Sequence, residues 1–145
     1  MRMIFPRLLG LVAMVASVLA LSSCASPKED WVSTFPETLV TTPRPGQNIK
    51  TVRSPDLVYA LIVRDEGEQG DFKWYAVYLQ KAHRYSLIGT FNAVENIVWN
   101  QGSSMVSFRG ERAIESNVMQ EAEYQYYPHD EILKSRTIKK KALPD

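Results

Sequence analysis

A chain of 145 residues with 17 basic and 16 acidic side chains has room for one modest domain and carries no electrostatic footprint for nucleic acid. Its single cysteine excludes an internal disulfide. In chain order, the first predicted element is a secretory signal in three parts. Arg2 and Arg7 form a short basic region, Leu8 to Leu21 follow and are apolar except for Gly10 and Ser17, and small residues Ser22-Ser23 lead to Cys24. An apolar run of roughly 14 residues falls short of the about 20 that a spanning helix wants, and it suits the core of a signal.

Leu21-Ser22-Ser23-Cys24 resembles the lipobox of bacterial lipoproteins, with Leu three positions before the cut, two small residues, then Cys. The resemblance covers the first two dozen residues. It implies diacylglyceryl transfer to the Cys24 sulfur, cleavage of the Ser23–Cys24 bond and acylation of the new amine. Cys24 is then the anchor to a membrane, and each buried methylene of its acyl chains adds about 0.8 kcal/mol. Ala25, rather than Asp, follows the cysteine. In a Gram-negative host the family's sorting rule then favours the outer membrane, with the domain facing the periplasm. An ordinary secretory signal with an incidental cysteine and an uncleaved anchor helix are the competing readings.

Residues 24–54 read as a lipidated N-terminus and tether. Five of the 8 prolines fall between Pro27 and Pro55, and Ser, Thr and charge fill most of the rest. Such a composition makes a semi-extended spacer. Trp31, Val32, Phe35, Leu39 and Val40 show no sustained period, and a free linker seldom carries a Trp and a Phe. Packing of Trp31–Val40 on the domain as an irregular arm is the equal alternative.

From residue 55 to 145 the texture is that of a β domain: short runs rich in β-branched and aromatic residues, separated by turn-formers. Leu57–Arg64, Phe72–Lys81, Tyr85–Phe91, Asn96–Trp99 and Met105–Arg109 are predicted strands, with Asp65–Asp71 a loop and Asn100–Ser103 a turn. The first two runs are apolar on both alternating faces, as strands inside a layered structure are. Ala113–Tyr127 is ambiguous. Ile114, Val118, Ala122 and Tyr126 fit a helical stripe, so one short helix within 113–123 is an option; alternation and the β-prone Glu123–Tyr127 favour a strand over Val118–Tyr127. Pro128-His129-Asp130 is a turn and Glu131–Ile138 the last strand. The expected fold is all-β, an antiparallel meander of about seven strands forming a sandwich or open barrel. Two stretches, from Ser54 and from Asn100, share an order of turn, apolar strand, polar loop, aromatic strand, turn with His and closing strand, at an offset of about 46 residues. Any antiparallel meander also produces such an order.

Catalytic equipment is sparse. His83 and His129 sit in predicted turns without a Cys, His or Glu at ligand spacing, and pair only if those turns stack. Asp65, Glu66, Glu68 and Asp71 cluster in one loop but lack the alternation of a calcium-binding loop. There is no G-x-S-x-G elbow and no glycine-rich phosphate loop. No cofactor, no metal and no enzymatic activity is expected. The aromatics are the better hint: Trp74 and Tyr78 alternate with Tyr75 and Val77, so a single covering layer cannot hide both faces of that strand. Trp74, Tyr75, Tyr78 and Trp99 are the candidate partner-binding residues, with buried core the competing reading. Lys139-Lys140-Lys141 reads as a solvated basic end or a contact for anionic headgroups or cell-wall polymer. The functional expectation is a non-catalytic, lipid-anchored envelope protein that binds another envelope protein as an accessory to an assembly. A lipoprotein inhibitor of a hydrolase such as lysozyme, and a small periplasmic hydrolase or ligand-binding protein, are the alternatives.

Overall fold

The computed structural model describes residues 31–36 and 48–144. Among them are nine strands and no helix: β1 (Val32–Thr34), β2 (Asn48–Arg53), β3 (Tyr59–Gln69), β4 (Phe72–Lys81), β5 (Arg84–Phe91), β6 (Ala93–Trp99), β7 (Val106–Glu115), β8 (Val118–Tyr127) and β9 (Ile132–Ala142). Every pairing is antiparallel. They form a four-stranded sheet in the order β2-β3-β4-β5 and a five-stranded sheet in the order β1-β9-β8-β7-β6. The all-β expectation holds, as a sandwich rather than a closed barrel.

Strand alternation explains the core, because successive side chains point to opposite faces. Leu61, Val63, Val77, Leu79, Ile88 and Phe91 from one sheet meet Trp99, Val106, Phe108, Ala122, Tyr124, Tyr126 and Leu133 from the other. Ile88 and Phe91 are three apart yet both face inward, because the β4–β5 register shifts at Val77/Tyr78. The centre of the core is aromatic: Phe91 meets Phe108 and Tyr124 edge-on, at ring centroid distances of 5.4 and 5.0 Å, and Phe108 stacks on Tyr124 at 5.2 Å. Gly110 makes room for this group. A Cβ there would lie 2.9 Å from Phe91 and 3.0 Å from Tyr124.

Two expectations change, and one open choice is decided. Residues 32–34, read equally as tether or as an irregular arm packed on the domain, and 48–53, read as tether, are strands β1 and β2, which pair with β9 and β3. Nine strands therefore replace about seven. The ambiguous segment 113–123 takes the favoured strand reading, as a hairpin with Ala113 opposite Met119 and Glu115 opposite Val118. Its periodicity is two: Ala122, Tyr124 and Tyr126 are buried while Glu121, Glu123 and Gln125 alternate with them. The acidic loop Asp65–Asp71 shrinks to a tight turn, because β3 and β4 continue as a ribbon to Gln69 and Phe72. Gly67, at φ 92°, absorbs a bulge there, and its N–H is accepted by Asp65 Oδ1 at 2.8 Å.

The internal repeat is visible in the topology, since β2–β5 and β6–β9 are each a four-strand meander forming the body of one sheet. The turns before their second strands match. Ser54 N–H donates to the Tyr59 carbonyl and Leu57 N–H to the Ser54 carbonyl; Asn100 N–H donates to Met105 and Ser103 N–H to Asn100. Leu57 and Ser103, at φ 63° and 56°, hold the same left-handed position. The two turns touch, with Asp56 N–H donating to Ser103 Oγ at 3.0 Å.

Candidate functional site

The two sheets present very different outer faces. On the five-stranded sheet the alternation leaves charged side chains outside, and they pair across strands. Arg109 Nε lies 3.3 Å from Glu121, Arg136 pairs with Glu123, and Lys134 sits 5.1 Å above the Tyr127 ring. Arg136 also lies 5.0 Å over Trp31, which fastens the chain just before β1. This is the solvated face of an antiparallel sheet.

The outer face of the four-stranded sheet carries an apolar cluster, with Arg64, opposite Ala76 and 6% exposed, buried on the same face. Ala60, Ile62, Ala76 and Tyr78 form a second cluster, with Tyr85 and Leu87 packed against it. Trp74 precedes Ala76 by two residues and so shares its face. The floor is nearly closed to solvent, whereas Trp74, Tyr85 and Leu87 are half-buried at its margin. No described strand forms a third layer over it.

Of the residues expected to bind a partner, Trp74 and Tyr78 belong to this outer face. Tyr75 packs against the inter-sheet core. Trp99 is 9% exposed, stacks on Tyr59 at 6.0 Å and donates its Nε1–H to the Val52 carbonyl at 3.0 Å. The four are therefore split between two faces. The signal for the split is the alternation Trp74, Tyr75, Ala76, Val77, Tyr78; the contributions of Ile62, Tyr85 and Leu87 need the pairing register as well.

A second site lies at one end of the sandwich. A cleft of about 300 Å³ is lined by Tyr59, Leu79, Lys81, Arg84, Ser86, Tyr126, Pro128, His129 and Glu131. The hairpin between β4 and β5 supplies one wall, where Lys81 stands opposite Arg84. The turn from Pro128 to Glu131, between β8 and β9, supplies the other. These are the corresponding turns of the two meanders, and they do face one another. Only His129 of the two histidines lines the cleft; it lies 3.2 Å from Asp130. Tyr126 is pushed up to about 12, first by burial, then by the Glu131 carboxylate and by Tyr59. Lys81 Nζ is 5.7 Å from the Tyr59 ring centroid, a cation–π contact.

Comparison with protein-family models, with curated proteins and with solved structures finds no match. The site therefore rests on its own geometry. Among the described residues no group of three His, Cys, Asp or Glu side chains stands close enough to hold a metal, and no helix is long and apolar enough to cross a membrane. The expected lipidation and cleavage residues, Cys24 and Ser23, lie outside the described residues, as does the rest of the signal and residues 37–47 of the tether.

Proposed function

We propose that the chain is a lipid-anchored protein of the cell envelope that binds another envelope protein through the outer face of the β2–β5 sheet, without catalysing a reaction. The observation that carries this reading is the asymmetry of the two outer faces. One is laced with cross-strand ion pairs; the other gathers Ile62, Tyr78, Tyr85 and Leu87 beside a half-buried Trp74. Aromatic side chains on a patch that also holds Arg64 are the composition of an interface centre. The lipobox-like Leu21–Cys24 supports the anchor, and the near-balanced charge supports a protein partner over nucleic acid.

Two measurements test the parts separately. Intact-mass analysis of material from the native organism should show a chain that starts at Cys24 and carries acyl mass, whereas Cys24→Ala should release the protein from the membrane. A chain still starting at Met1 and lacking alkyl mass refutes the anchor. Photo-crosslinkers placed in living cells at Trp74 and Leu87 should both trap the same protein, and those at Ser107 and Arg109 on the charged face should not. Equal trapping from both faces refutes the partner surface.

A further inference from the structure

The end cleft is lined mainly by hydrogen-bond donors. Lys81 and Arg84 close the β4–β5 hairpin as a facing pair, and Ser86 follows two residues later on the same face. Tyr59 and Tyr126 add two phenols. Tyr126 is 1% exposed and reaches the cleft from the inter-sheet core, yet its hydroxyl makes no hydrogen bond among the described residues. That hydroxyl is not sealed from solvent, so it meets water through the cleft, where an acceptor on a ligand can take the water's place. Tyr126, like any tyrosine, keeps its proton at neutral pH and can donate, and burial holds that proton more firmly still. Leu79, Pro128 and the two tyrosine rings give the cleft an apolar floor, and Glu131 is the one carboxylate in its lining.

We propose that this cleft binds a small organic carboxylate. Its oxygens sit between Lys81 and Arg84, where the guanidinium fork matches a carboxylate. The Tyr126 and Ser86 hydroxyls complete their hydrogen bonds, and the ligand's body lies on Leu79, Pro128 and Tyr59. Glu131 accepts from a hydroxyl or amide on the same ligand. A cleft of about 300 Å³ suits an occupant on the scale of a sugar acid or an acylated amino acid. This site is separate from the proposed partner face and stands whether or not Cys24 carries lipid.

Calorimetric titration of the full-length protein in detergent tests it, with N-acetyl-D-alanine and D-glucuronate as probes and N-acetyl-D-alaninamide and D-glucose as their neutral counterparts. At least one carboxylate should bind saturably, and its neutral counterpart at least tenfold more weakly. The stronger of the two probes assigns the source. Arg84→Gln should weaken that binding at least tenfold. Tyr126→Phe should weaken it severalfold without lowering the urea midpoint, since the hydroxyl has no described protein partner to lose. Arg112→Gln, whose guanidinium lies over Phe91 instead of in the cleft, should leave the affinity unchanged. The proposal is overturned by the absence of saturable binding, by equal binding of the neutral counterparts, or by inorganic phosphate binding as tightly as either carboxylate. Affinities unmoved by both Arg84→Gln and Tyr126→Phe overturn it as well.

Discussion

Gly110→Ala puts a single methyl group against the aromatic centre of the core. The new carbon would stand 2.9 Å from Phe91 Cδ1, 3.0 Å from Tyr124 Cε2 and 3.3 Å from Phe91 Cε1. Carbon atoms prefer about 3.5–4.0 Å, so two rings must each retreat by roughly half an ångström or more. Neither has anywhere to go. Phe91 is held edge-on by Phe108 and Tyr124, Phe108 is 2% exposed, and Phe91 is fully buried. Overpacking of a rigid core costs about 1–3 kcal/mol. The lost backbone freedom of glycine in the unfolded chain returns about 0.4–1 kcal/mol. The net expectation is a destabilisation of about 1–2 kcal/mol, read as a lower urea midpoint at constant slope. Gly102→Ala is the matched control, because the nearest heavy atom to its Cβ is Ser104 Oγ at 4.0 Å. It should leave the midpoint unchanged or raise it slightly. A Gly110→Ala protein as stable as wild type would show that the aromatic trio is not closed over this glycine.

Three further outcomes follow from individual contacts. Trp99→Phe removes the Nε1–H bond to the Val52 carbonyl and part of a buried ring stacked on Tyr59, and should destabilise by about 1–3 kcal/mol in the same denaturation assay. Arg109→Gln breaks the 3.3 Å pair with Glu121, whose side chains are 43% and 25% exposed, and should shift stability by less than about 1 kcal/mol. Asp56 is held below its usual 3.8, first by the Ser54 hydroxyl and then by the Val58 N–H. A carboxylate lowered on folding stabilises above its unfolded pKa and loses that contribution as pH falls through the folded value. The gap in urea midpoint between wild type and Asp56→Asn should therefore be full at pH 7 and shrink below about pH 4. A gap independent of pH would place the effect in shape instead of charge.

The sequence displays strands that own a buried face and hides those that borrow one. β8 was legible to the residue, because Ala122, Tyr124 and Tyr126 alternate with acidic and amide side chains. β1 and β2 were not. Every residue of β1 is exposed, and within β2 only Val52 is partly buried, so neither has an alternation to read; both exist because β9 and β3 offer free edges. Asp65–Asp71 misled for the opposite reason, since two glycines and four carboxylates imitate a loop where Gly67 marks a bulge in a continuing ribbon. The candidate sites divide in the same way. Trp74 and Tyr78 could be placed on one face from spacing alone. The cleft could not, because Lys81, Arg84 and Tyr126 come together only when the two meanders stack turn against turn, a long-range fact that no local pattern encodes.

If Cys24 carries the proposed anchor, the direction of β1 sets where the cleft stands relative to it. Thr34 pairs with Leu133 and Val32 with Ser135, so toward its N-terminus the chain runs along β9 away from the Pro128–Glu131 turn. Trp31, under Arg136, continues that direction. Beyond it only residues 25–30 separate the domain from Cys24, a reach of at most about 25 Å. On the proposed reading, the lysines at the end of β9 then lie toward the bilayer and the cleft opens away from it, toward soluble ligands. Fluorophores attached to Lys140→Cys and His129→Cys in the acylated protein measure this, with quenchers carried on lipid headgroups in reconstituted vesicles. Both positions are exposed, so labelling should leave the fold intact. The label at position 140 should be quenched more strongly than the label at position 129. Stronger quenching at 129 would turn the cleft toward the membrane, and the exit direction of β1 would then say nothing about how the domain stands on it.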